Sequence, residues 1–320
     1  MKNENKRTKM THVSIVIKKT VQTILLIVPI FCNFSPLLCS QTQAGQITCT
    51  QSLANPLETM LKNFHPKIEK AMVIISPSYN NSLWYKQNLD ATVNQNYKNY
   101  RIICIDDASP DNTGTLIENY IKEKKLEHKV TLIQNKTRQY ALANWYQAIH
   151  SCQDHEIIVM VDGDDHLAHP NVLSLLNKVY QDPHVWLSYG SFKKSIDEPT
   201  NIHHSEQIPT NIIKDNAFRH YPWFTSHLRT CYSWLFKHIK KEDLMHEGKF
   251  YPMMCDHAMM FPMLEMAGTH SSYIPDTLLI YNNENPINIH KIHEETRHTI
   301  SALIREAQKY QPLTKAPVKN

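Results

Sequence analysis

Between Ala71 and Val161 the chain alternates short apolar runs with longer stretches that mix polar and apolar positions. The apolar runs are rich in β-branched residues, which is typical of strands buried on both faces of a sheet. The mixed stretches carry apolar residues at helical spacing, as Leu116, Tyr120 and Ile121 do. This alternation predicts strands at residues 72–75, 101–105, 130–133 and 157–161, with helices at 113–124 and 141–149 and a helical stretch ending near residue 94.

Strands that alternate with helices in this way predict an α/β fold with a doubly wound parallel sheet. Ligands of such sheets bind at the carboxyl ends of the strands, and polar residues follow each of the first four predicted strands here. We expect the rest of the chain to complete the same sheet. Its elements are predicted as helices at residues 169–180, 253–266 and 292–310 and strands at 185–189 and 273–281.

The fourth predicted strand ends in a cluster of carboxylates. Asp162, Asp164 and Asp165 fall within four positions, with Gly163 between the first two. Carboxylates this close repel one another unless a cation or extensive hydrogen bonding shares their charge. Oxygen ligands suit Mg²⁺ or Mn²⁺, and such ions usually bind substrate phosphates as well. The pattern favours a metal site that holds a diphosphate, and the alternative is a solvated acidic turn.

Glycine content excludes two familiar classes of nucleotide-binding protein. The chain has six glycines and contains neither G-x-G-x-x-G nor G-x-x-x-x-G-K-[ST]. A nicotinamide dehydrogenase or a P-loop NTPase is therefore disfavoured, because both use a glycine-rich loop to hold phosphates. We expect a metal to take over that role.

The N-terminus has the composition of a targeting segment. Six basic residues and one acidic residue give residues 1–19 a net charge of +5, so the rest of the chain carries −1 of the total +4. That balance disfavours a partner nucleic acid. Residues 20–44 carry no charged side chain and hold an apolar core at 24–31. They predict a secretory signal peptide or, alternatively, an N-terminal signal anchor associated with a membrane. Either segment would place the protein in the secretory pathway or outside the cytoplasm.

Four motifs in register carry a resemblance to a known family. They are VIISPSYN at residues 73–80, IDDASPDNT at 105–113, the run from Asn135 to Asn144, and VDGDD at 161–165. Their order and spacing resemble those of family 2 glycosyltransferases, over roughly residues 71–288. The resemblance implies a GT-A-type, Rossmann-like doubly wound sheet, mostly parallel, with an acceptor-side C-terminal half in the same domain. The domains expected are a signal peptide or anchor at 1–44, a stem at 45–68, the GT-A domain at 69–291, and a C-terminal helix and tail at 292–320.

The resemblance implies a metal-dependent, inverting transferase with Mn²⁺ or Mg²⁺ as cofactor. It would move a sugar from a nucleotide-diphospho-sugar, most commonly a UDP-sugar, to a hydroxyl group on a glycan, protein or lipid acceptor. One alternative is a non-catalytic carbohydrate- or nucleotide-sugar-binding relative, which the loss of Asp164 or Asp256 would favour; both are present. The other is a sugar-1-phosphate nucleotidyltransferase. That class normally has a glycine-rich basic loop after the first strand, and SPSYNNSLW is neither.

The resemblance also implies roles for individual residues. Asp164 would be the principal metal ligand, with Asp162 facing the ribose or the metal and Asp165 holding the donor sugar or an outer-shell water. The run from Asn135 lacks the family's usual glycine and has Leu142 near where an arginine is common, so Arg138 or Lys136 would contact the diphosphate. The expected nucleotide-binding residues are Pro77, Tyr79, Asn80, Asp106, Asp107, Arg138 and Asp162.

An acceptor hydroxyl must lose a proton as it attacks the anomeric carbon, so the reaction needs a general base. The family places an aspartate before an amphipathic helix well after the D-x-D motif, and Asp256 in MMCDHAMM matches that position. The alternative for Asp256 is a helix N-cap. Three weaker candidates follow: His290 as a further metal ligand, and Arg229 and Trp234 as contacts to the donor sugar or acceptor. Their structural alternatives are a surface histidine, an ion pair and core packing.

Overall fold

The computed structural model describes residues 68–196, 205–287 and 294–316, and within them the predicted alternation of strands and helices is confirmed. The strand and helix order of the first half is β1 (Met72–Ser78), α1 (Tyr85–Val93), β2 (Tyr100–Asp106), α2 (Thr113–Lys124), β3 (Val130–Gln134), α3 (Ala141–His150) and β4 (Ile157–Met160). The second half contains β5 (His166–Leu167), α4 (Val172–Val179), β6 (Leu187–Lys194), α5 (Thr210–Lys214), β7 (Arg229–Tyr232), α6 (Ser233–Lys237), β8 (Met245–His246), β9 (Lys249–Phe250), α7 (Cys255–Ala267), β10 (Ser271–Tyr281) and α8 (Glu294–Glu306).

The strands other than β8 and β9 form one large sheet in the order β3-β2-β1-β4-β7-β6-β10-β5. Strands β3, β2, β1 and β4 run parallel, as predicted, and β10 runs parallel to β6. Strand β7 is antiparallel to both β4 and β6, and β5 is antiparallel to β10. Ser78 pairs with Asp106 and Asp106 pairs with Gln134, so the first three strands end at one level. The loops that follow them are therefore neighbours.

Apolar residues cover both faces of this sheet, which is why its strands read as continuous apolar runs. Along β1, Val73 and Ile75 pack on one face while Met72 and Ile74 pack on the other. The first face lies under α3, α6, α7 and α8, and the second lies under α1, α2 and α4. Burial on both sides leaves the polar ends of the strands as the places where function can be located.

Helix α8 is attached to the domain through a buried ion pair. Arg219 donates to Glu265 of α7 from Nε at 2.6 Å and from Nη2 at 2.9 Å, and both side chains are almost fully buried. Arg219 Nη1 also donates to the carbonyl oxygen of Ile304 in α8, at 2.5 Å. Arg305 of α8 donates back to the carbonyl oxygens of Arg219 and Tyr221. These contacts fix α8 against α7, the helix that carries Asp256.

Several elements differ from the sequence prediction. Strand β7 and the β8–β9 hairpin were not predicted, because each is too short to show a period. The C-terminal helix, described from Glu294, ends at Glu306, before the predicted end at 310. None of the helices within the described ranges is long and apolar enough to cross a bilayer. The predicted leader, and the stem up to residue 67, lie outside the described residues.

Candidate active site

The polar ends of β1, β2 and β4 open into a cavity of about 410 Å³. The loops around it are tied together by backbone and side-chain hydrogen bonds. The amide of Asn80 donates to Ser109 Oγ at 3.0 Å, and that of Asn81 donates to Thr113 Oγ1 at 2.9 Å. Of the sequence-predicted residues, the cavity brings together Pro77, Tyr79, Asp107, Arg138, Asp162, Asp164, Arg229 and Asp256.

The acidic loop after β4 packs directly against the end of β1. The amide of Gly163 donates to the carbonyl oxygen of Pro77 at 3.0 Å. A Cβ added at Gly163 would lie 1.9 Å from Ser78 Oγ, which is closer than any nonbonded contact. Glycine is therefore required here by the close approach of two backbones, and that approach aims Asp162 and Asp164 into the cavity.

Residues after β10 hold the other side of the acidic loop. Asn285 Nδ2 donates to Asp164 Oδ2 at 2.7 Å, and the amide of Asn282 donates to Asp165 Oδ1 at 2.8 Å. Asp165 is 1% exposed, and its Oδ2 has no hydrogen-bond partner among the described residues. It lies beneath the cavity and does not line it. The structure thus gives Asp165 a buried position, in place of the predicted contact with a donor sugar.

The three carboxylates share an unfavourable electrostatic environment. Burial raises the pKa of Asp162 to about 6, and the neighbouring Asp164 and Asp256 add to the effect while Arg229 opposes it. Burial also raises the pKa of Asp164, against the hydrogen bond from Asn285. The pKa of Asp165 rises well above its usual range through burial and repulsion from Asp164 and Asp162. A bound cation would relieve all three.

His227, which the sequence pattern does not single out, lies beside two of these carboxylates. Single ligand atoms of Asp162, Asp165 and His227 all lie within 4.8 Å of one another. Burial lowers the pKa of His227 well below its usual range, with Arg229 contributing, so the ring is neutral and can donate a lone pair. One half-buried and one buried carboxylate, the latter with an oxygen that has no hydrogen-bond partner among the described residues, and a neutral imidazole fit a divalent ion such as Mn²⁺. Asp164, predicted as the principal ligand, lines the cavity next to this cluster.

The paired aspartates after β2 have separate environments. Asp107 accepts hydrogen bonds from Asn135 Nδ2 and from the amides of Gln139 and Tyr140, each at 2.8 Å. It lines the cavity and fixes the loop after β3. Asp106 is buried against α2, where a Cβ at position 114 would lie 2.6 Å from its Oδ2. Asp106 does not line the cavity, so of the pair only Asp107 is placed to face a nucleotide.

Arg138 is held between two aromatic rings at the mouth of the cavity. Its guanidinium carbon lies 3.6 Å from the ring centroid of Tyr79 and 4.6 Å from that of Tyr140. Stacking leaves the in-plane N–H groups of an arginine available to an anion. Asn80, predicted to line the nucleotide site with Tyr79, does not line the cavity; the adjacent Asn81 does.

Asp256 stands at the first turn of α7, across the cavity from β1. Its side chain is 28% exposed, and its Oδ2 lies 3.8 Å from Arg229 Nη1. Arg229 is itself buried, with its Nη2 3.2 Å from His227 Nδ1. Its Nε has no hydrogen-bond partner among the described residues. The carboxylate of Asp256 is therefore accessible from the cavity and paired with a cation on one side only.

The far wall of the cavity contains side chains that sequence reasoning missed. They include Arg297 of α8, whose Nε is buried without a hydrogen-bond partner in the described ranges, and His257, which stacks on Trp223 with ring centroids 4.1 Å apart. No local motif marks these residues, because α8 and α7 meet only in the fold. Trp234, predicted as a sugar contact, is 6% exposed and packs on Trp186 in the core. His290 lies outside the described residues.

A curled, mostly parallel sheet with clustered carboxylates at its strand ends is the architecture of GT-A glycosyltransferases. The sequence profile of Glycosyl transferase family 2 matches residues 73–244, more than half of the chain. The chain therefore belongs to glycosyl transferase family 2.

Relatives and solved structures agree with this assignment. An uncharacterized glycosyltransferase of Haemophilus influenzae is 30% identical over 119 residues, which is 37% of this chain and 46% of that protein. GlyA of Streptococcus pneumoniae, a glycosyltransferase, is 24% identical over 130 residues, covering 40% of this chain and 18% of its own length. The chain thus matches less than half the length of these relatives.

Two solved structures share the fold. S. aureus TarS 1–349 in complex with UDP-GlcNAc aligns with a TM-score of 0.52 at 16% identity, covering 73% of this chain and 66% of that one. The mannosyltransferase PcManGT from Pyrobaculum calidifontis, in complex with GDP-Man and Mn²⁺, aligns with a TM-score of 0.50 at 17% identity. It covers 81% of this chain and 73% of its own.

Proposed function

We propose that this glycosyltransferase is metal-dependent and inverting, and that it transfers a sugar from a UDP-sugar to a hydroxyl acceptor. The proposal rests on one observation: Asp162, Asp164, Asp256 and Arg229 all line the same cavity. Clustered carboxylates suit a cation, the arginine suits phosphate oxygens, and an accessible carboxylate suits a base.

Asp256 is the proposed general base. Its carboxylate accepts the proton of the acceptor hydroxyl while that oxygen forms a bond to the anomeric carbon and the bond to the diphosphate breaks. A single displacement of this kind inverts the anomeric centre. Arg229 lies beside Oδ2 of this carboxylate, and the amide of His257 donates to its Oδ1 at 2.9 Å, so both contacts fix the carboxylate where it lines the cavity. General-base assistance increases the reaction rate by about 10²–10⁴-fold.

Three arginines balance the charge of the donor diphosphate. Arg138, Arg229 and Arg297 line the cavity from three different elements. Arg229 and Arg297 each have a buried Nε without a hydrogen-bond partner in the described part of the chain, and a buried, unpaired donor is unfavourable until a ligand satisfies it. Phosphate oxygens accept from guanidinium groups in this way.

A divalent ion is the proposed cofactor, held by Asp164 and Asp162 with His227 and Asp165 at its side. When bound, it neutralises charge on the diphosphate as the bond to the sugar breaks. PcManGT contains Mn²⁺, whereas the fit here rests on the donor set of this chain. TarS binds UDP-GlcNAc and PcManGT binds GDP-Man, so the nucleotide base is the part of the proposal that most needs a test.

The first test is thermal stabilisation of the full chain by UDP, GDP and CMP, each with and without Mn²⁺. Because a ligand that binds the folded state stabilises it by mass action, a hundredfold excess over Kd adds about 2.7 kcal/mol. We expect stabilisation by UDP with Mn²⁺, and its loss in Asp164→Ala. No stabilisation by any nucleotide would overturn the proposal, and stabilisation by GDP alone would change the donor.

The second test separates the base from donor binding. Asp256→Asn keeps the shape of the side chain, so UDP and Mn²⁺ should stabilise the variant as they do the wild type. Its kcat should fall by about 10²–10⁴-fold. A variant that retains kcat would exclude Asp256 as the base, and one that loses UDP binding would indicate a structural role.

We propose separately that residues 1–44 either direct the protein out of the cytoplasm or anchor it in a membrane.

A further inference from the structure

A second cavity, of about 1000 Å³, adjoins the donor cavity. Its walls are the start of α3, the β8–β9 hairpin with the residues that follow it, and one side of α8. The two cavities share three lining residues, Arg138, Tyr140 and Pro252. The two cavities are therefore immediate neighbours, and one extended ligand can contact residues of both.

The lining of this second cavity alternates aromatic and polar side chains. Tyr140, Phe250 and Tyr251 supply rings, while Thr296 and Thr299 supply hydroxyl groups. Aromatic rings pack on the C–H faces of sugars, and hydroxyl and charged groups bond to the edges of sugars. The remaining polar and charged residues of the lining are Gln139, His246, Lys249 and Glu295.

One of these rings is held exposed by the donor site itself. Tyr140 is 43% exposed, and its backbone amide donates to Asp107 Oδ2 at 2.8 Å. Its φ of 67° places it in a conformation that L-residues rarely adopt, and the ring stacks on Arg138. A strained backbone that presents a large ring to solvent at the junction of two cavities indicates a binding contact.

The wall formed by α8 is fixed. The buried pair Arg219–Glu265 and the bond from Arg219 to Ile304 attach this helix to α7. Ser301 Oγ lies 3.2 Å from His257 Nδ1, which adds a contact next to Asp256. Residues of α8 on two sides therefore face two sites: Arg297 lines the donor cavity, and Thr299 lines the second one.

We propose that the second cavity is an acceptor subsite that binds the non-reacting sugar residues of an oligosaccharide acceptor. The inference rests on the proposed function, because it takes Asp256 as the point where the reacting hydroxyl is placed. A saccharide fits better than a lipid, since charged and hydroxyl groups interrupt the apolar surface on every wall. The cavity is larger than the donor cavity, which suits more than one sugar residue.

The test compares p-nitrophenyl monosaccharides with the corresponding di- and trisaccharides of glucose, galactose, mannose and N-acetylglucosamine. The readout is UDP release by the full chain with UDP-sugar and Mn²⁺. We expect kcat/KM to rise with length, by about tenfold or more for the preferred sugar, as ring contacts are added. In Thr299→Trp, which fills the cavity from α8, that length dependence should fall below about twofold.

His298→Trp is the matched control, because His298 is an exposed position of the same helix that lines neither cavity. It should retain the full length dependence. Should Thr299→Trp fail to fold, Lys249→Trp fills the same cavity from the hairpin, where residue 249 is exposed. Stabilisation by UDP with Mn²⁺ confirms that a variant is folded.

Three outcomes overturn the proposal while UDP binding stays intact. The first is that no glycoside increases UDP release. The second is an increase that does not depend on the length of the glycoside. The third is a length dependence that both Thr299→Trp and Lys249→Trp retain. A polyprenyl phosphate is assayed beside the glycosides; if it raises UDP release while no glycoside does, the first of these outcomes has occurred and the cavity is assigned to a lipid. If no nucleotide stabilises the wild type with Mn²⁺, the proposed function itself fails, so the two failures are distinguishable.

Discussion

Gly163, between Asp162 and Asp164, is the position where one added methyl group tests the site most directly. In Gly163→Ala the new Cβ would lie 1.9 Å from Ser78 Oγ, 2.8 Å from Ser78 Cβ and 2.8 Å from the carbonyl oxygen of Pro77. Rotation of the Ser78 hydroxyl relieves the first contact and leaves the other two. Since carbon–oxygen contacts lie at about 3.3 Å or more, the acidic loop must move from β1 by roughly 0.5 Å.

The displacement has a calculable effect on stability and on rate. Forcing an additional carbon into a packed interior costs about 1–3 kcal/mol, which lowers the Tm of a domain of this size by about 2–12 °C. A misplacement of about 1 Å in an active site can reduce the rate a hundredfold. Half of that displacement, applied to Asp162 and Asp164 together, predicts a loss in kcat of about tenfold to a hundredfold.

The assay measures Tm and UDP release for the full-length variant beside two others. Gly268→Ala is the control: residue 268 has a φ of 51° and its Cβ would meet only Pro312, at 3.9 Å, away from the donor cavity. It should lose about 1–2 kcal/mol through backbone strain and keep its kcat. Ser78→Gly combined with Gly163→Ala removes two of the three close contacts and should recover part of the lost rate. The reasoning is refuted if Gly163→Ala keeps the wild-type kcat, or if its defect is unchanged in the double variant.

Three further predictions concern the surroundings of the site. Arg219→Met leaves Glu265 buried without its arginine partner and should cost about 3–5 kcal/mol of unfolding free energy in a denaturant titration. Adding Glu265→Leu to this variant should restore part of that loss. If the single and the double variant lose the same unfolding free energy, the pair is uncoupled. Burial lowers the pKa of His257, so the folded state favours the neutral ring. The unfolding free energy of the wild type relative to His257→Asn should therefore decrease as the pH falls below about 6.5, the usual pKa of histidine. A difference in unfolding free energy that does not depend on pH would contradict this. Asn285→Ala removes the hydrogen bond to Asp164. In the presence of UDP, the Mn²⁺ concentration needed for half-maximal stabilisation should rise by about 10–100-fold. If that Mn²⁺ concentration is unchanged, Asn285 does not support the metal site.

The sequence predicted the first half of the fold well because that half has unusually clear patterns. Strands buried on both faces appear as uninterrupted apolar runs, and helices with one buried face show the helical period. The carboxylates at 162–165 could be located for the same reason, since they end such a run. Their environments could not be predicted. Asp165 is buried beneath the cavity and Asp107 is taken up by three donors from the loop after β3, and neither position is marked in the local sequence.

The second half was predicted less completely because its functional contacts join distant positions. Asp164 bonds to Asn285, which is 121 positions away, and Arg229 reaches Asp256 from a four-residue strand between β4 and β6. Trp234 illustrates the opposite error: an aromatic residue next to basic ones was a candidate sugar contact, but α6 turns it into the core. Only the register of β7 with β4 decides that Arg229 faces the site.

The match to the family profile ends at residue 244, and several residues that support the site lie beyond that point. The proposed base Asp256 and the two residues that hold the acidic loop, Asn282 and Asn285, all come after residue 244. Both asparagines follow β10, which pairs with β6, and α8 is held at the site by Arg219, which also bonds to Glu265 of α7. A chain that ends at residue 244 would therefore keep the motifs and lose the supports of Asp164 and Asp165. The proposed acceptor subsite also depends on this final segment, because α8 lines both cavities.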